Sequence, residues 1–124
     1  MTTVVGIRGA ILAEDNTKES ILTATRELLD RIVRANDVVE SDVAGIFFTA
    51  TPDLDAEFPA YAVRDMGWKR TASLCAHEMS VPGAMERVIR AMVFVNWRHS
   101  QPVKHQYIGR ARELRPDLSG DSES

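Results

Sequence analysis

The sequence predicts a single α/β domain, and three observations carry that prediction. Apolar residues recur at helical spacing from about residue 16 to residue 36. Short runs rich in β-branched and aromatic residues precede and follow that stretch, at 3–8, 43–50 and 88–97. A length of 124 residues suits one hydrophobic core and is too short for two. The apolar fraction of 44% and the charged fraction of 27% fit a soluble globular chain with a solvated surface. A net charge of −3 leaves no broad basic field for nucleic acid, and no Lys/Arg cluster suggests a membrane surface. The single cysteine excludes an internal disulfide and fits a reducing compartment. There is no basic leader ahead of an apolar segment and no apolar run of spanning length, so a cytoplasmic location is expected.

Taken in order, residues 3–8 (Thr-Val-Val-Gly-Ile-Arg) read as a short strand ending on Arg8. Gly9 behind it leaves room for a backbone or a ligand to approach. Asn16 or Thr17 supplies a helix N-cap, with Glu19 placed to reach back if Asn16 is the cap. The helix runs to about Asn36. Ile21, Leu22, Ala24, Thr25, Leu28, Leu29, Ile32, Val33 and Ala35 make its apolar face, and Arg26, Glu27, Asp30, Arg31 and Arg34 make a solvated one. Asp37 to Asp42 is a polar connection. Val43 to Ala50 is apolar on both faces, as a buried central strand should be.

A loop follows at Thr51 to Asp55, then a helical turn or two from Phe58 to Met66, with Pro59 near the first helical position and Gly67 closing it. Phe58 is either a staple on that helix or an apolar pocket wall, the staple being the plainer reading. Trp68 to Cys75 is a strand candidate. Val88 to Trp97 fits either period, and its Val, Ile, Phe and Trp content favours strand. Lys104 to Ile108 reads as a last strand. Residues 1–118 form the domain, and the acidic, serine-rich 119–124 is expected to be a disordered tail.

The chemistry-bearing residues narrow the function. His77, His99 and His105 lack metal-ligand spacing, and Cys75 with His77 offers two donors only, so no metal site is expected. Nothing orients an imidazole for a Cys–His nucleophile, and no Gly-rich phosphate loop or nucleophile elbow is present. What stands out is Arg90 inside an apolar run. Arginine cannot shed its proton, so its head must reach water or meet an anion. A snorkelling stem and a ligand-facing guanidinium fit the sequence equally well. Arg8, Arg64, Arg90 and Arg115, with Glu78, Cys75 and Tyr107, would suit a small polyanionic ligand bearing hydroxyls. Residue chemistry alone leads as far as carboxylate binding.

Five motifs in order resemble the AroH-class chorismate mutases: GIRGA (6–10), TATPDLDAEFPA with AVR following (49–64), C-x-x-EM (75–79), Ile89-Arg90, and LRPDL (114–118). The resemblance spans about Val5 to Leu118. Tyr61 stands where that family usually has a basic side chain, and the segments around 66–68 and between Arg90 and Tyr107 are shortened. The resemblance implies an α/β fold in which a mixed β-sheet packs on one long helix, three subunits forming a pseudo-α/β barrel with sites at their interfaces. It implies rearrangement of chorismate to prephenate, without metal or cofactor, by a homotrimer. Arg90, Glu78, Arg8 and Cys75 would then form the catalytic group. Arg90 would meet the ether oxygen and a carboxylate. Arg8 and Tyr107 would hold the enolpyruvyl carboxylate, and Glu78, with Cys75 nearby, the ring hydroxyl. Phe58, Leu74 and Leu114 would line the wall, and Arg64 and Arg115 the mouth. The alternative is a non-catalytic or Rid-like trimer that binds a small carboxylate at subunit interfaces.

Overall fold

A computed structural model describes residues 3–119. Five strands form one mixed sheet: β1 (Thr3–Leu12), β2 (Val43–Ala50), β3 (Ser73–His77), β4 (Val88–Trp97) and β5 (Gln106–Tyr107), in the order β3-β2-β4-β1-β5. The centre is antiparallel, with β4 between β1 and β2, and each flank adds a parallel pair, β2 with β3 and β1 with β5. The long helix α1 (Lys18–Asn36) joins β1 to β2 and covers one face. Two short helices, α2 (Tyr61–Asp65) and α3 (Pro116–Ser119), and two 3-10 turns, Glu40–Asp42 and Gly109–Leu114, are the other elements among the described residues.

The N-cap of α1 is Thr17, whose hydroxyl accepts from Ser20 N. Asn16 is used elsewhere: its side-chain oxygen accepts from Asp55 N and Ala56 N, fastening the loop after β2 to the helix start. The box with Glu19 therefore does not form. Helix α1 buries Ile21, Leu28, Leu29 and Ile32 against Ile7, Ile11, Phe48, Ile89 and Val93 of the sheet. Alternation along the strands sends these residues to one face.

Strand β1 extends beyond the expected end at Arg8 because Gly9 lets it. A Cβ there would stand 2.7 Å from the Gln106 carbonyl oxygen and 2.8 Å from Leu28 Cδ1. Glycine thus admits both α1 and β5 to β1. Two other segments are shorter than expected because side chains satisfy backbone groups that a ladder would otherwise use. Ahead of β3, Glu40 Oε2 accepts from Arg70 N and Thr71 Oγ1, so the strand begins at Ser73 and not at Trp68. Around β5, the buried Asn36 side chain accepts from Lys104 N and donates to Lys104 O, and His105 Nδ1 accepts from Arg8 N. Only Gln106 and Tyr107 remain as strand. Of the expected tail, Ser119 ends α3 and residues 120–124 lie outside the described residues.

The second face of the sheet carries Arg8, Phe47, Thr49, Arg90, Met92 and Phe94, with Leu74 beside Phe47 on β3. Phe47, Leu74 and Phe94 are exposed there, Leu74 to 70%. At one end, a smaller apolar cluster of Ala10, Val88, Tyr107 and Ala111 supports this face, with Leu12, Met85, Leu114 and Leu118 around it.

Candidate active site

Arg90, the third residue of β4, projects on the face away from α1, so its guanidinium does not enter the main core. Its cross-strand neighbours are Ala10 on β1 and Thr49 on β2. Arg90 Nε donates to Glu78 Oε2 at 2.9 Å, and Thr49 Oγ1 donates to the same oxygen at 2.6 Å. Glu78 reaches that position because its backbone N–H bonds to Ala50 O just past the end of β3. The Arg90 side chain stays 37% exposed while that of Glu78 is 17% exposed. The sequence left open whether the Arg90 head reaches water or an anion; the structure gives it both. Its terminal nitrogens make no hydrogen bond to any described residue, and neither does Glu78 Oε1. The pair therefore leaves two terminal NH2 groups and one carboxylate oxygen without a partner among the described residues.

Arg8 lies one row along β1, opposite Met92. With Phe47, Thr49, Arg90, Met92 and Tyr107 it lines an open cavity of about 150 Å³. Two guanidinium groups in a largely apolar lining suit a dianion. The Arg8 side chain has no hydrogen bond or close ion pair among the described residues. Its backbone N–H is held by His105 Nδ1 at 2.9 Å. The proton of that imidazole must then sit on Nε2. Burial, and next the positive charges of Arg8 and Arg115, lower the pKa of His105 and keep it neutral. Tyr107 is buried beside Ala10, and Leu114 packs on the same small cluster. Arg115 grips Asp117 through two nitrogens, at 3.0 and 2.7 Å, and that hydrogen bonding raises the Arg115 pKa.

The remaining expected residues gather elsewhere. Cys75 pairs in register with Phe48, which puts it on the α1 side of the sheet, while Leu74 pairs with Phe47 on the arginine side. Cys75, His77, Phe58 and Pro59 line a second cavity of about 360 Å³. Burial raises the Cys75 thiol, and a backbone hydrogen bond from Ala60 offsets this in part. A protonated, half-buried thiol is a poor nucleophile. Phe58 combines both expected roles: it meets Tyr61, the first residue of α2, edge-on with ring centroids 5.7 Å apart, and at 61% exposure it also lines the cavity. Arg64 also contacts Tyr61, its guanidinium carbon 5.6 Å from the ring centroid.

One chain thus brings together Arg8, Arg90, Glu78 and Tyr107, with Leu114 and Arg115 nearby. It places Phe58, Arg64 and Cys75 in a separate group. Cavities that enclose small ligands run to about 300 Å³ or more, so the arginine cavity alone is half a site. Sequence reasoning missed Thr49, whose hydroxyl sits inside the apolar run Val43 to Ala50. Alternation offered a signal, since Thr49 shares a face with Phe47 and not with Phe48. The three histidines are dispersed: His77 and His99 bond to the Leu54 and Asp37 carbonyls and His105 to Arg8 N.

Comparison with known proteins points the same way as these residues. Residues 4–118 match the family model described as chorismate mutase type I. Chorismate mutase AroH of Thermus thermophilus is 45% identical over 117 residues, which is 93% of this chain and 96% of that protein. Chorismate mutase AroH of Bacillus subtilis is 42% identical over 116 residues, 92% of this chain and 91% of that protein. Among solved structures, a chorismate mutase from Clostridium thermocellum superposes with a TM-score of 0.85 at 43% identity, covering 89% of this chain and 99% of that one.

Proposed function

The chain belongs to the type I chorismate mutase family, and from that premise we propose how its own side chains carry out the rearrangement. It is an isomerase of aromatic amino-acid biosynthesis, converting chorismate to prephenate. The non-catalytic and Rid-like alternatives have no support in the family match. The reaction breaks an ether C–O bond and forms a C–C bond within one molecule, so no general acid, base or nucleophile is required. Two contributions can help: holding the enolpyruvyl arm over the ring, and stabilising charge on the ether oxygen as its bond breaks.

The observation that carries this reading is Arg90, pinned through Nε by Glu78, with a part-exposed side chain whose terminal nitrogens bond to no described residue. Those nitrogens are the donors for the ether oxygen and an adjacent carboxylate. Arg8 and Tyr107 hold the enolpyruvyl carboxylate, and Glu78 Oε1 accepts from the ring hydroxyl. Phe58, Leu74 and Leu114 wall the site, Cys75 is a small polar neighbour, and Arg64 and Arg115 draw the dianion to the mouth. Because Phe58 and Cys75 lie apart from Arg90 within one chain, the complete site pairs the two groups across a subunit interface in a homotrimer. The exposed Phe47, Leu74 and Phe94 face supports such an interface. A cytoplasmic location fits the single free thiol.

The test follows chorismate by loss of its absorbance. Removing one neutral oxyanion donor costs about 10²–10³ in kcat, so Arg90→Ala should lose at least about a hundredfold while the protein stays folded. Arg90→Lys should recover little, because a point charge cannot make the forked contact. Turnover within about tenfold of wild type in a folded Arg90→Ala protein overturns the assignment.

A further inference from the structure

We propose that Thr49 is a positioning residue for the rearrangement: its hydroxyl holds Glu78 so that the carboxylate meets Arg90 through one oxygen and leaves the outer guanidinium edge to the substrate. The inference rests on the role given to Arg90 above. A carboxylate beside a guanidinium ordinarily settles into a two-toothed pair, with both oxygens taking parallel N–H bonds. Here it does not. Only Oε2 is engaged, and it is shared between Arg90 Nε at 2.9 Å and Thr49 Oγ1 at 2.6 Å.

The backbone explains why the hydroxyl can hold that geometry. Thr49 and Arg90 are register partners on β2 and β4, so their side chains leave the sheet side by side. The Glu78 backbone is fixed to Ala50 O, one residue beyond Thr49, which brings its carboxylate back over the pair. Threonine has a narrow choice of χ1 in a strand, so its hydroxyl is a stiff donor. Without that donor, no other hydrogen bond from the described residues keeps the carboxylate from turning both oxygens toward Arg90. An Nη would then be spent on Glu78, and Oε1 would be lost to the ring hydroxyl. The charge of the pair would be unchanged, but its direction would be wrong.

Thr49→Val and Thr49→Ala remove the hydroxyl and Thr49→Ser keeps it. Displacing a catalytic group by about an ångström costs up to about a hundredfold, so the first two should lower kcat by about ten- to a hundredfold. KM should rise by less than kcat falls, because the ring-hydroxyl contact is made in both states while the Arg90 contact strengthens in the transition state. Thr49→Ser should return kcat to within about threefold of wild type, and thermal melting should show all three folded. A purely structural threonine would give the opposite pattern, with melting temperature falling and kcat preserved in the folded fraction. The inference is overturned by a kcat for Thr49→Val and Thr49→Ala within about twofold of wild type, by a Thr49→Ser protein as slow as they are, or by a loss confined to KM. Arg90→Ala measured alongside separates the two failures. If Arg90→Ala is inactive and Thr49→Val is not, only the positioning role falls; if Arg90→Ala is active, the reading of Arg90 falls first.

Discussion

Arg90 and His105 show how single side chains are committed by what surrounds them. An arginine in an apolar strand is tolerable on the face opposite α1, where Glu78 balances its charge and water reaches its tip. His105 solves a different problem, since the Arg8 N–H turns toward β5 and would otherwise lack an acceptor. Its Nδ1 can accept only while the ring is neutral. Burial and the charges of Arg8 and Arg115 lower its pKa in the folded chain, while the unfolded chain titrates near the ordinary value of about 6.5. The sign follows from that order. Above about pH 6.5 both states hold a neutral ring, and as pH falls through that value the unfolded state takes up the proton first, so stability declines. In His105→Asn the amide oxygen can take the place of Nδ1 without titrating. Urea unfolding at pH 8 and pH 5.5 should therefore show wild type losing stability relative to His105→Asn as the pH drops. An equal difference at both pH values would exclude this role for His105.

At the scale of elements, α1 is the best-specified part of the chain and also holds an unfavourable end. Its cap residue Asp37 adopts the left-handed conformation, with φ 50° and ψ 52°. It places a carboxylate where the helix dipole is negative. An asparagine at this position would tolerate the same backbone without the charge, so Asp37→Asn should stabilise the fold by about 0.3–1 kcal/mol. Chemical denaturation at low ionic strength would measure the gain, and added salt should shrink it. A destabilised variant would show that the Asp37 carboxylate has a favourable role at this helix end. The helix was legible because its apolar period is long and uninterrupted, as were the two central strands with their β-branched and aromatic content. The ends of the outer strands were not. They are set by Glu40, Asn36 and His105 reaching across about 30 to 100 residues to satisfy backbone groups, and no local pattern announces such a bond. Arg8, Glu78 and Arg90 could be singled out from the motifs that hold them, and Tyr107 from its position between two of them. Thr49 opens one of those motifs and shares a face with Phe47, but its place beside Glu78 shows only in the register that sets it next to Arg90.

For the whole molecule, the decisive feature is that the proposed site residues line two separate cavities of one chain. Arg8, Arg90 and Tyr107 surround a cavity of about 150 Å³. Phe58 and Cys75 line another of about 360 Å³ beside the edge strand β3. A cyclic trimer has head-to-tail contacts, so each subunit can lend one group forward and the other backward. That arrangement would cover the apolar face carrying Phe47, Leu74 and Phe94, and would complete the arginine cavity with the Phe58 group of a neighbour. Two inactive variants test it. Arg90→Ala disables one group, and Phe58→Asp puts a carboxylate into the other, where it repels the dianion. Unfolded and refolded together, they should regain activity, because some interfaces then join an intact Phe58 group to an intact Arg90 group. Refolding each alone should not. Mass measurements on the mixture must show trimers containing both chains. If they do, and the mixture is no more active than the sum of the separate parents, each site belongs to one subunit and the shared arrangement is wrong.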